Sequence, residues 1–556
     1  MPTLRPMTDV AAELGIAPEH VIAWGPDRAK VDLAALGARA GRPPTGRLIL
    51  VSAITPTPSG EGKTTMAIAL AMGMRARGRH AVLALREPSL GPVFGMKGGG
   101  TGGGAATLEP AEAINLHFTG DLHAITSAHN LLSALVDNSL QFGTPGPIDP
   151  RRVTWPRAVD MNDRFLRHVV IGLGGPADGI PREAGFQITA SSEVMAALCL
   201  ASDLADLQVR LARIVVGWTA ADQPVTAGDI GAAPAMTVLL RDALMPNLAQ
   251  TAEGGPALVH GGPFANIAHG TNSMIATRLA LATGADVITE GGFGFDLGGE
   301  KFLDIACRSA GIWPRAVVLV ATLRALKLHG GAALAQVDRP DRDALVAGLP
   351  QLERHLFSVG AYGLPPVVAL NRFPGDGEAE VDLVAAWCAG RGVPMAVCTG
   401  FSEGGAGSVE LADVVGRIVD GTDADPPQPW HPYAEDDPYE DKISAIARHV
   451  YGAEGIEVAP AAARELARIT AAVGTGLPIC IAKTHLSLSD DPKRRGVPHG
   501  FTINVREARL AAGAGFVVAS TGSIVTMPGL PHEPAALRVH VRPDGSITGL
   551  MAGDHD

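Results

Sequence analysis

The sequence predicts an α/β protein built around a parallel sheet, because short apolar runs without polar alternation recur between stretches of helical character. Strands that are apolar on both faces are typical of parallel sheets covered by helices on each side. Hydrophobic residues make up 46% of the 556 residues and charged residues 18%, which excludes a disordered chain. The runs expected to form strands are 47–54, 81–85, 167–173, 213–216, 257–259, 285–289, 316–321, 366–370, 394–398, 479–482 and 515–519.

The chain is too long for one core, so we expect roughly three to four folding units. The segment 338–349 has helical, surface character, and the proline-rich acidic stretch 423–441 has the composition of a solvated connection. These two segments predict a first unit over 1–350, a second α/β unit over 351–470 and a C-terminal α/β unit over 471–556.

Charge and composition exclude several classes of partner. The net charge is −12, and basic residues cluster only at 493–495, so a nucleic-acid surface is not expected. The N-terminus lacks the apolar centre of a signal peptide, and no run approaches the ~18 apolar residues of a membrane helix. We therefore expect a cytoplasmic protein whose five scattered cysteines are reduced and buried.

A glycine-rich turn, TPTPSGEGKTT over 55–65, separates the first long strand from an apolar helix. Backbone N–H groups of such a turn, the start of the helix and the lysine can together hold a triphosphate. The turn predicts a P-loop NTPase-like core in a variant form, since Thr57 stands where the standard pattern has glycine; a purely structural turn is the alternative. The residues expected to bind nucleotide are Thr57, Pro58, Ser59, Gly60, Glu61, Gly62, Lys63 and Thr64.

Two more constellations follow the next strand. Arg86 comes directly after 81–85, where its planar guanidinium is suited to a carboxylate or an acyl phosphate; a surface pair with Glu87 is the alternative. Further on, Asp121 and His123 could orient a cation or a proton-transferring group, although such histidines are more often structural.

These motifs, with several longer ones, make the chain resemble the monofunctional formate–tetrahydrofolate ligase (10-formyltetrahydrofolate synthetase) family over nearly its whole length. Besides the turn, the sequence segments that carry the resemblance are REPSLGPVFGMKGGG, INLHFTGDLHAI, PFANIAHGTNS, FDLGGEKFLDI, VATLRALKLHGG and KTHLSLSDDP.

The resemblance implies an enzyme that uses MgATP to phosphorylate formate and passes the formyl group of formyl phosphate to tetrahydrofolate. It implies catalytic roles for Lys63, Arg86 and Asp121, with Arg86 holding formate and formyl phosphate. The turn itself places Thr64 to ligate Mg²⁺. Relatives are activated by a monovalent cation (K⁺ or NH₄⁺), for which Glu87 and Asp121 are candidate oxygen donors; pairing of each carboxylate with a basic neighbour is the alternative. The proton lost from N10 has two candidate bases, His123 and His269, between which the sequence does not choose.

The family's aromatic sandwich for the pterin ring maps onto Phe373 and Phe401, the latter at a position where relatives commonly carry tryptophan. The glycine loop 98–104 is expected to help to cover the site, because formyl phosphate must be shielded from water. Bacterial relatives are commonly homotetramers. Other departures from the family pattern are Gly100–Thr101, Ala105, Phe295 and His485–Leu486.

Three other functions are alternatives to this one. A GTPase needs Asn-Lys-x-Asp after a strand, and Asn371-Arg372-Phe373-Pro374 has proline at the aspartate position. A dethiobiotin-synthetase-like ligase would be much shorter and would lack the later motifs. An inactive folate- and nucleotide-binding relative is the remaining alternative, suggested by the altered glycine loop and by Phe401.

Overall fold

The computed structural model describes residues 4–37, 45–97, 99–143, 148–522 and 524–550, and a mostly parallel sheet of twelve strands forms its centre. The strands of this sheet are β1 (Val21–Ala23), β2 (Ala29–Val31), β3 (Arg47–Ala53), β4 (Ala81–Leu85), β5 (Gly102–Gly103), β6 (Ala106–Glu109), β7 (Asn247–Thr251), β8 (Pro256–Val259), β9 (Asp286–Glu290), β10 (Ala316–Ala321), β11 (Pro366–Asn371) and β12 (Met395–Cys398).

The spatial order of the sheet is β1-β2-β7-β8-β4-β9-β3-β10-β11-β12, with β5 and β6 attached beside β7. Every neighbouring pair from β8 to β12 is parallel, whereas β1, β2 and β7 pair antiparallel. The longer helices are α1 (Met7–Glu13), α2 (Lys63–Ala76), α3 (Asp121–Phe142), α4 (Glu193–Leu200), α5 (Leu204–Arg213), α6 (Ala233–Leu240), α7 (Met274–Leu281), α8 (Leu323–His329), α9 (Arg342–Ala361), α10 (Glu378–Ala389), α11 (Val409–Gly421), α12 (Tyr439–Ile446) and α13 (Pro460–Val473).

Both faces of the sheet are buried, which explains the uninterrupted apolar strands. Along β3, Leu48 and Leu50 pack into one core cluster, and Ile49 and Val51 pack into the cluster on the other face. Helix α2 covers this second face, while α7 and α9 contribute to the first. The α/β class with a large, mostly parallel sheet is therefore confirmed.

The run 213–216 does not join this sheet as expected, because Val215–Trp218 pairs antiparallel with Pro224–Thr226 in a separate sheet. The run 167–173 does not join it either. Its strand is Val169–Ile171, which pairs antiparallel with Arg182–Ala184 in a separate hairpin. Val170 is 63% exposed there, so an apolar composition alone did not distinguish a surface hairpin from a buried strand.

The described residues after the main sheet form three smaller sheets, one of them a hairpin of His540–Val541 with Ile547–Thr548. Gly455–Val458 pairs with Thr502–Val505, and Ile479–Ala482, Phe516–Ser520 and Glu507–Ala511 form a mixed sheet of three strands. The divisions expected near 350 and 470 stay predictions.

Residue 350 lies inside α9, and strands on both sides of it belong to the main sheet.

The five cysteines are free and buried. Across the described ranges, no helix has the length and apolar character needed to cross a membrane.

Candidate functional site

The candidate site lies along the carboxyl edge of the parallel strands. Because β4, β9, β3, β10, β11 and β12 are parallel neighbours in this order, the residues that follow them form one row along that edge. Ligands of open α/β sheets bind at such strand ends. The row contains most of the residues singled out from the sequence.

The glycine-rich turn follows β3 and leads into α2. Gly60 and Gly62 have φ angles of 81° and 73°, a region that favours glycine. A Cβ on Gly62 would lie 2.7 Å from Nδ2 of Asn371. Thr57 donates its N–H to Oε1 of Glu61 over 2.6 Å, so this N–H is already satisfied inside the turn.

Two neutral histidines support the start of the turn. Thr55 donates its N–H to Nε2 of His355 over 2.9 Å, and its carbonyl oxygen accepts a hydrogen bond from Nε2 of His329 over 2.8 Å. Burial lowers the pKa of His355 to about 4 and also lowers the pKa of His329. Both rings are therefore uncharged near neutral pH, which lets His355 accept from the backbone.

Glu290, the last residue of β9, joins the turn to the arginine. Its Oε2 accepts a hydrogen bond of 2.8 Å from the hydroxyl of Thr64, and its Oε1 lies 3.3 Å from Nη2 of Arg86. Since β9 lies between β3 and β4, the turn and Arg86 are two strands apart, about 10 Å in strand spacing. The structure thus brings Thr64 and Arg86 to one strand end, with Lys63 next to Thr64 in the chain.

Arg86 pairs with Glu290 and with the carbonyl oxygen of Pro263, 3.4 Å from Nη1. Its Nε is buried and has no hydrogen-bond partner among the described residues. A buried N–H without an acceptor is costly, and an anionic ligand would satisfy it.

Glu87 and Asp121 lie in a buried cluster with a lysine that the sequence analysis missed. Nζ of Lys30 is 2.7 Å from Oδ1 of Asp121 and 2.9 Å from Oδ1 of Asn247, and Asn247 donates to Oδ2 of Asp121 over 2.8 Å. Lys30 and Asn247 face each other across β2 and β7. Burial, and next the negative charge of Asp121, raise the pKa of Glu87 well above its usual value.

The two phenylalanines expected to hold the pterin follow adjacent strands. Phe373 comes after β11 and lies under the guanidinium of Arg324, 4.2 Å from the ring centre. Phe401 belongs to the short helix Gly400–Glu403 after β12 and is 42% exposed. The structure places both at the same end of the site.

Part of the glycine loop packs against Phe401; Gly98, the first residue of the expected cover, lies outside the described residues. Ala105 donates its N–H to the carbonyl oxygen of Phe401 over 2.8 Å. A Cβ on Gly104 would lie 2.0 Å from the same oxygen, so no side chain fits there. The loop and the proposed pterin wall are therefore in direct contact.

The two histidines considered as bases differ in environment. His123 is exposed on α3, with Nε2 at 3.4 Å from the hydroxyl of Ser127. His269 is buried, and neither ring nitrogen has a partner among the described residues. Burial, with smaller effects of Arg210 and Arg86, lowers the pKa of His269 to about 3, so its ring is neutral.

Three polar residues of the site were missed from the sequence: Lys30, Asn247 and Glu290. Glu290 could have been found from the sequence, because it is an acidic residue at the end of an expected strand. Lys30 and Asn247 had no comparable signal, since their contacts join distant parts of the chain. Within the described ranges, no group of three or more histidine, cysteine, aspartate or glutamate side chains could hold a metal ion.

Fold and site together define an α/β protein with cationic and acidic side chains gathered at the carboxyl edge of a parallel sheet. The profile of formate–tetrahydrofolate ligase matches residues 2–551. A formate–tetrahydrofolate ligase of Myxococcus xanthus is 64% identical over 552 residues, which is 99% of this chain and 100% of the relative. Those of Paracoccus denitrificans and Hyphomonas neptunium are 55% and 53% identical, with 98% of each chain covered. The chain belongs to the formate–tetrahydrofolate ligase family.

Proposed function

We propose that the protein ligates formate to tetrahydrofolate at the expense of ATP, giving 10-formyltetrahydrofolate, ADP and phosphate through formyl phosphate. Full-length similarity to proteins named for this reaction supports the proposal. The structural observation that carries it is the contact of Glu290 with both Thr64 and Arg86, which brings the turn and the arginine to one place.

In the first step, formate attacks the γ-phosphate of ATP. Both reactants are anions, so the site must supply positive charge to bring them together and to stabilise charge on the transferring phosphoryl group. Lys63 and the turn residues 57–64 are proposed to hold the triphosphate, in a P-loop NTPase-like manner. Arg86 is proposed to hold formate and then formyl phosphate, for which its unpartnered Nε provides a donor.

The residues around Thr64 fit a magnesium ion bound with ATP. Oxygen ligands are what Mg²⁺ prefers, usually with only one or two carboxylates and with phosphate oxygens. The hydroxyl of Thr64 and the carboxylate of Glu290 are 2.8 Å apart at the mouth of the turn and supply such oxygens. Bound there, Mg²⁺ would neutralise charge on the phosphates.

In the second step, N10 of tetrahydrofolate attacks the formyl carbon, and phosphate leaves. A free carboxylate resists attack by an aryl amine, whereas formyl phosphate carries a good leaving group. Phe373 and Phe401 are proposed to stack on the two faces of the pterin. Asp121 and Glu87 are proposed to orient the reacting groups and to bind a K⁺ or NH₄⁺ ion. The ammonium group of Lys30 compensates the negative charge of Asp121.

We further infer that the protein acts in the cytoplasm as a homotetramer. Large exposed apolar side chains mark contact surfaces when they are grouped. Phe142, Phe165, Val170 and Leu173 are each more than 60% exposed, as are Val238, Leu537 and Val541, and we propose that some of these side chains lie in subunit contacts. Sedimentation equilibrium of the purified protein tests the subunit number.

The direct test is a product assay. Purified protein is mixed with MgATP, formate and tetrahydrofolate, the mixture is acidified, and the methenyl chromophore is recorded. We expect product that depends on all three substrates and is lost in Lys63→Ala. Binding of nucleotide and folate without product would instead identify an inactive relative, and a fully active Lys63→Ala would contradict the site.

A further inference from the structure

One feature of the turn is unexpected for a phosphate site: it contains a buried carboxylate. Glu61 is only 2% exposed and lies within the segment proposed to hold three phosphates. A negative charge there opposes phosphate binding, and a buried charge is costly unless it is hydrogen-bonded. The hydrogen bonds of Glu61 indicate what the carboxylate does.

Glu61 contacts the ends of two neighbouring strands as well as its own turn. Its Oε1 accepts from the N–H of Thr57 over 2.6 Å, and its Oε2 accepts from the hydroxyl of Thr322, the residue after β10. Its backbone carbonyl oxygen accepts from Nδ2 of Asn371, the last residue of β11, over 3.0 Å. The turn is thus bonded to the ends of β10 and β11, the next two strands from β3 toward the proposed pterin site.

Both partners lead directly to the pterin wall. Thr322 caps α8 by accepting from the N–H of Ala325 over 3.0 Å, and this helix carries Arg324, whose guanidinium covers one face of Phe373. Asn371 precedes Phe373 by two residues on the same strand end. Glu61 is therefore connected to Phe373 in two ways: through Thr322 and Arg324 of α8, and through Asn371 at the end of β11.

We propose that Glu61 is a positioning residue, which fixes the pterin wall relative to the phosphate turn. The inference rests on the proposed function, because it concerns the distance and angle between formyl phosphate and N10. Transfer between two bound groups is sensitive to displacements of about 1 Å, which can cost a hundredfold in rate. A residue that binds both halves through buried hydrogen bonds keeps this distance constant.

The test compares Thr322→Val, which removes the hydroxyl at nearly constant shape, with Thr322→Ser, which keeps it. We expect Thr322→Val to lower kcat/KM for tetrahydrofolate by about tenfold or more at saturating MgATP and formate. The dissociation constant of MgADP, measured by calorimetry, should change by less than about threefold, because the Thr57 and Asn371 bonds to Glu61 remain. Thr322→Ser should restore the value for tetrahydrofolate.

Loss of the helix cap is controlled separately. Asp341→Ala removes a cap of the same kind, the acceptor for the N–H of Ala344 at the start of α9, without touching Glu61. It should leave kcat/KM for tetrahydrofolate unchanged. A loss as large as that of Thr322→Val would contradict the positioning role.

A Thr322→Val variant that retains kcat/KM for tetrahydrofolate, or loses MgADP binding to the same extent, would also overturn the inference. If this variant does not fold, Asn371→Ala is measured with the same two readouts. We expect the same loss of kcat/KM for tetrahydrofolate, with MgADP binding retained because the Thr57 and Thr322 bonds to Glu61 remain. Wild-type protein that forms no product would contradict the proposed function itself, whereas an active wild type with an unaffected variant contradicts only the role of Glu61.

Discussion

The proposed nucleotide half and the proposed pterin half of the candidate site are built differently. Around the turn, polar side chains are buried and fixed by hydrogen bonds: His355 holds Thr55, and Glu290 holds both Thr64 and Arg86. At the other end, Phe401 is 42% exposed on a helix of four residues. Electrostatic stabilisation requires groups fixed before the reaction, whereas stacking at Phe401 tolerates adjustment when the ligand binds; Phe373, under Arg324, is the fixed wall.

This contrast predicts that substitutions in the nucleotide half act mainly on kcat, and those in the pterin half mainly on KM for tetrahydrofolate. An interaction that stabilises the bound substrate and the transition state equally lowers KM and leaves kcat unchanged. An interaction made only in the transition state raises kcat. Four measurements test the comparison, from the largest expected effect to the smallest.

Removing the charge of Arg86 should have the largest effect. Arg86→Ala takes a cation from the place where negative charge develops, so we expect kcat to fall by about a thousandfold. The product assay at saturating substrates measures it. Arg77→Ala is the matched control, because Arg77 pairs with Asp413 at the surface and should leave kcat unchanged. Full activity of Arg86→Ala would remove the basis of the two-half comparison.

Glu290→Gln should have the next largest effect. The change keeps the shape but removes the charge that orients Arg86 and would contact Mg²⁺, so we expect kcat to fall by about a hundredfold and the Mg²⁺ requirement to increase. Titration of activity with Mg²⁺ at fixed ATP measures both. In Glu353→Gln, which alters a surface pair with Arg391, neither quantity should change. If Glu290→Gln raises only KM for tetrahydrofolate, the assignment of Glu290 to the nucleotide half is wrong.

Acid should destabilise the support of the turn. The pKa of His355 is about 4 when folded, against about 6.5 when unfolded, so between these values the unfolded chain binds a proton that the folded chain does not. The free energy of unfolding therefore falls as pH decreases from about 6.5 to about 4, by about 2 kcal/mol at pH 5 for this residue. His355→Gln should show a smaller fall between pH 7.5 and pH 5 in urea unfolding.

The exposed His532 provides the control for this measurement. Its side chain is 98% exposed, and His532→Gln should keep the pH dependence of the wild type. If the free energy of unfolding depends on pH equally in the wild type and in His355→Gln, the pKa of His355 is not lowered by folding as stated.

The smallest effect is expected in the pterin half. Phe401→Trp enlarges the stacking surface and should lower KM for tetrahydrofolate severalfold, about 1 kcal/mol, with kcat nearly constant. Phe357→Trp on α9, where the ring is 60% exposed under Arg354, should change neither parameter. A change of kcat rather than KM in Phe401→Trp would mean that the pterin half is as preorganised as the nucleotide half.

The sequence was most informative where structure is local. The apolar runs at 81–85 and 316–321 correspond to strands with those same bounds, because burial on both faces requires uninterrupted apolar residues. The sequence also predicted which residues follow strand ends, including Arg86 and Phe373. It did not distinguish the exposed hairpin strand Val169–Ile171 from a core strand, since both are apolar.

Contacts between distant segments could not be read from the sequence. Lys30 and Asp121 are 91 residues apart, and Glu61 and Thr322 are 261 residues apart, so no spacing rule connects them. A lone lysine in a short strand and a glutamate in a glycine-rich turn are each unremarkable. Only the order of the strands brings them to their partners, and this order is set by tertiary packing.

The position of Lys30 has a practical consequence for handling the protein. The first long strand begins only at Arg47, so the preceding segment could be taken for a dispensable leader and shortened for expression. That segment supplies the ammonium group of Lys30 to the buried carboxylate of Asp121, and its removal would leave the charge of this carboxylate uncompensated. Affinity tags are better appended before this segment than substituted for it.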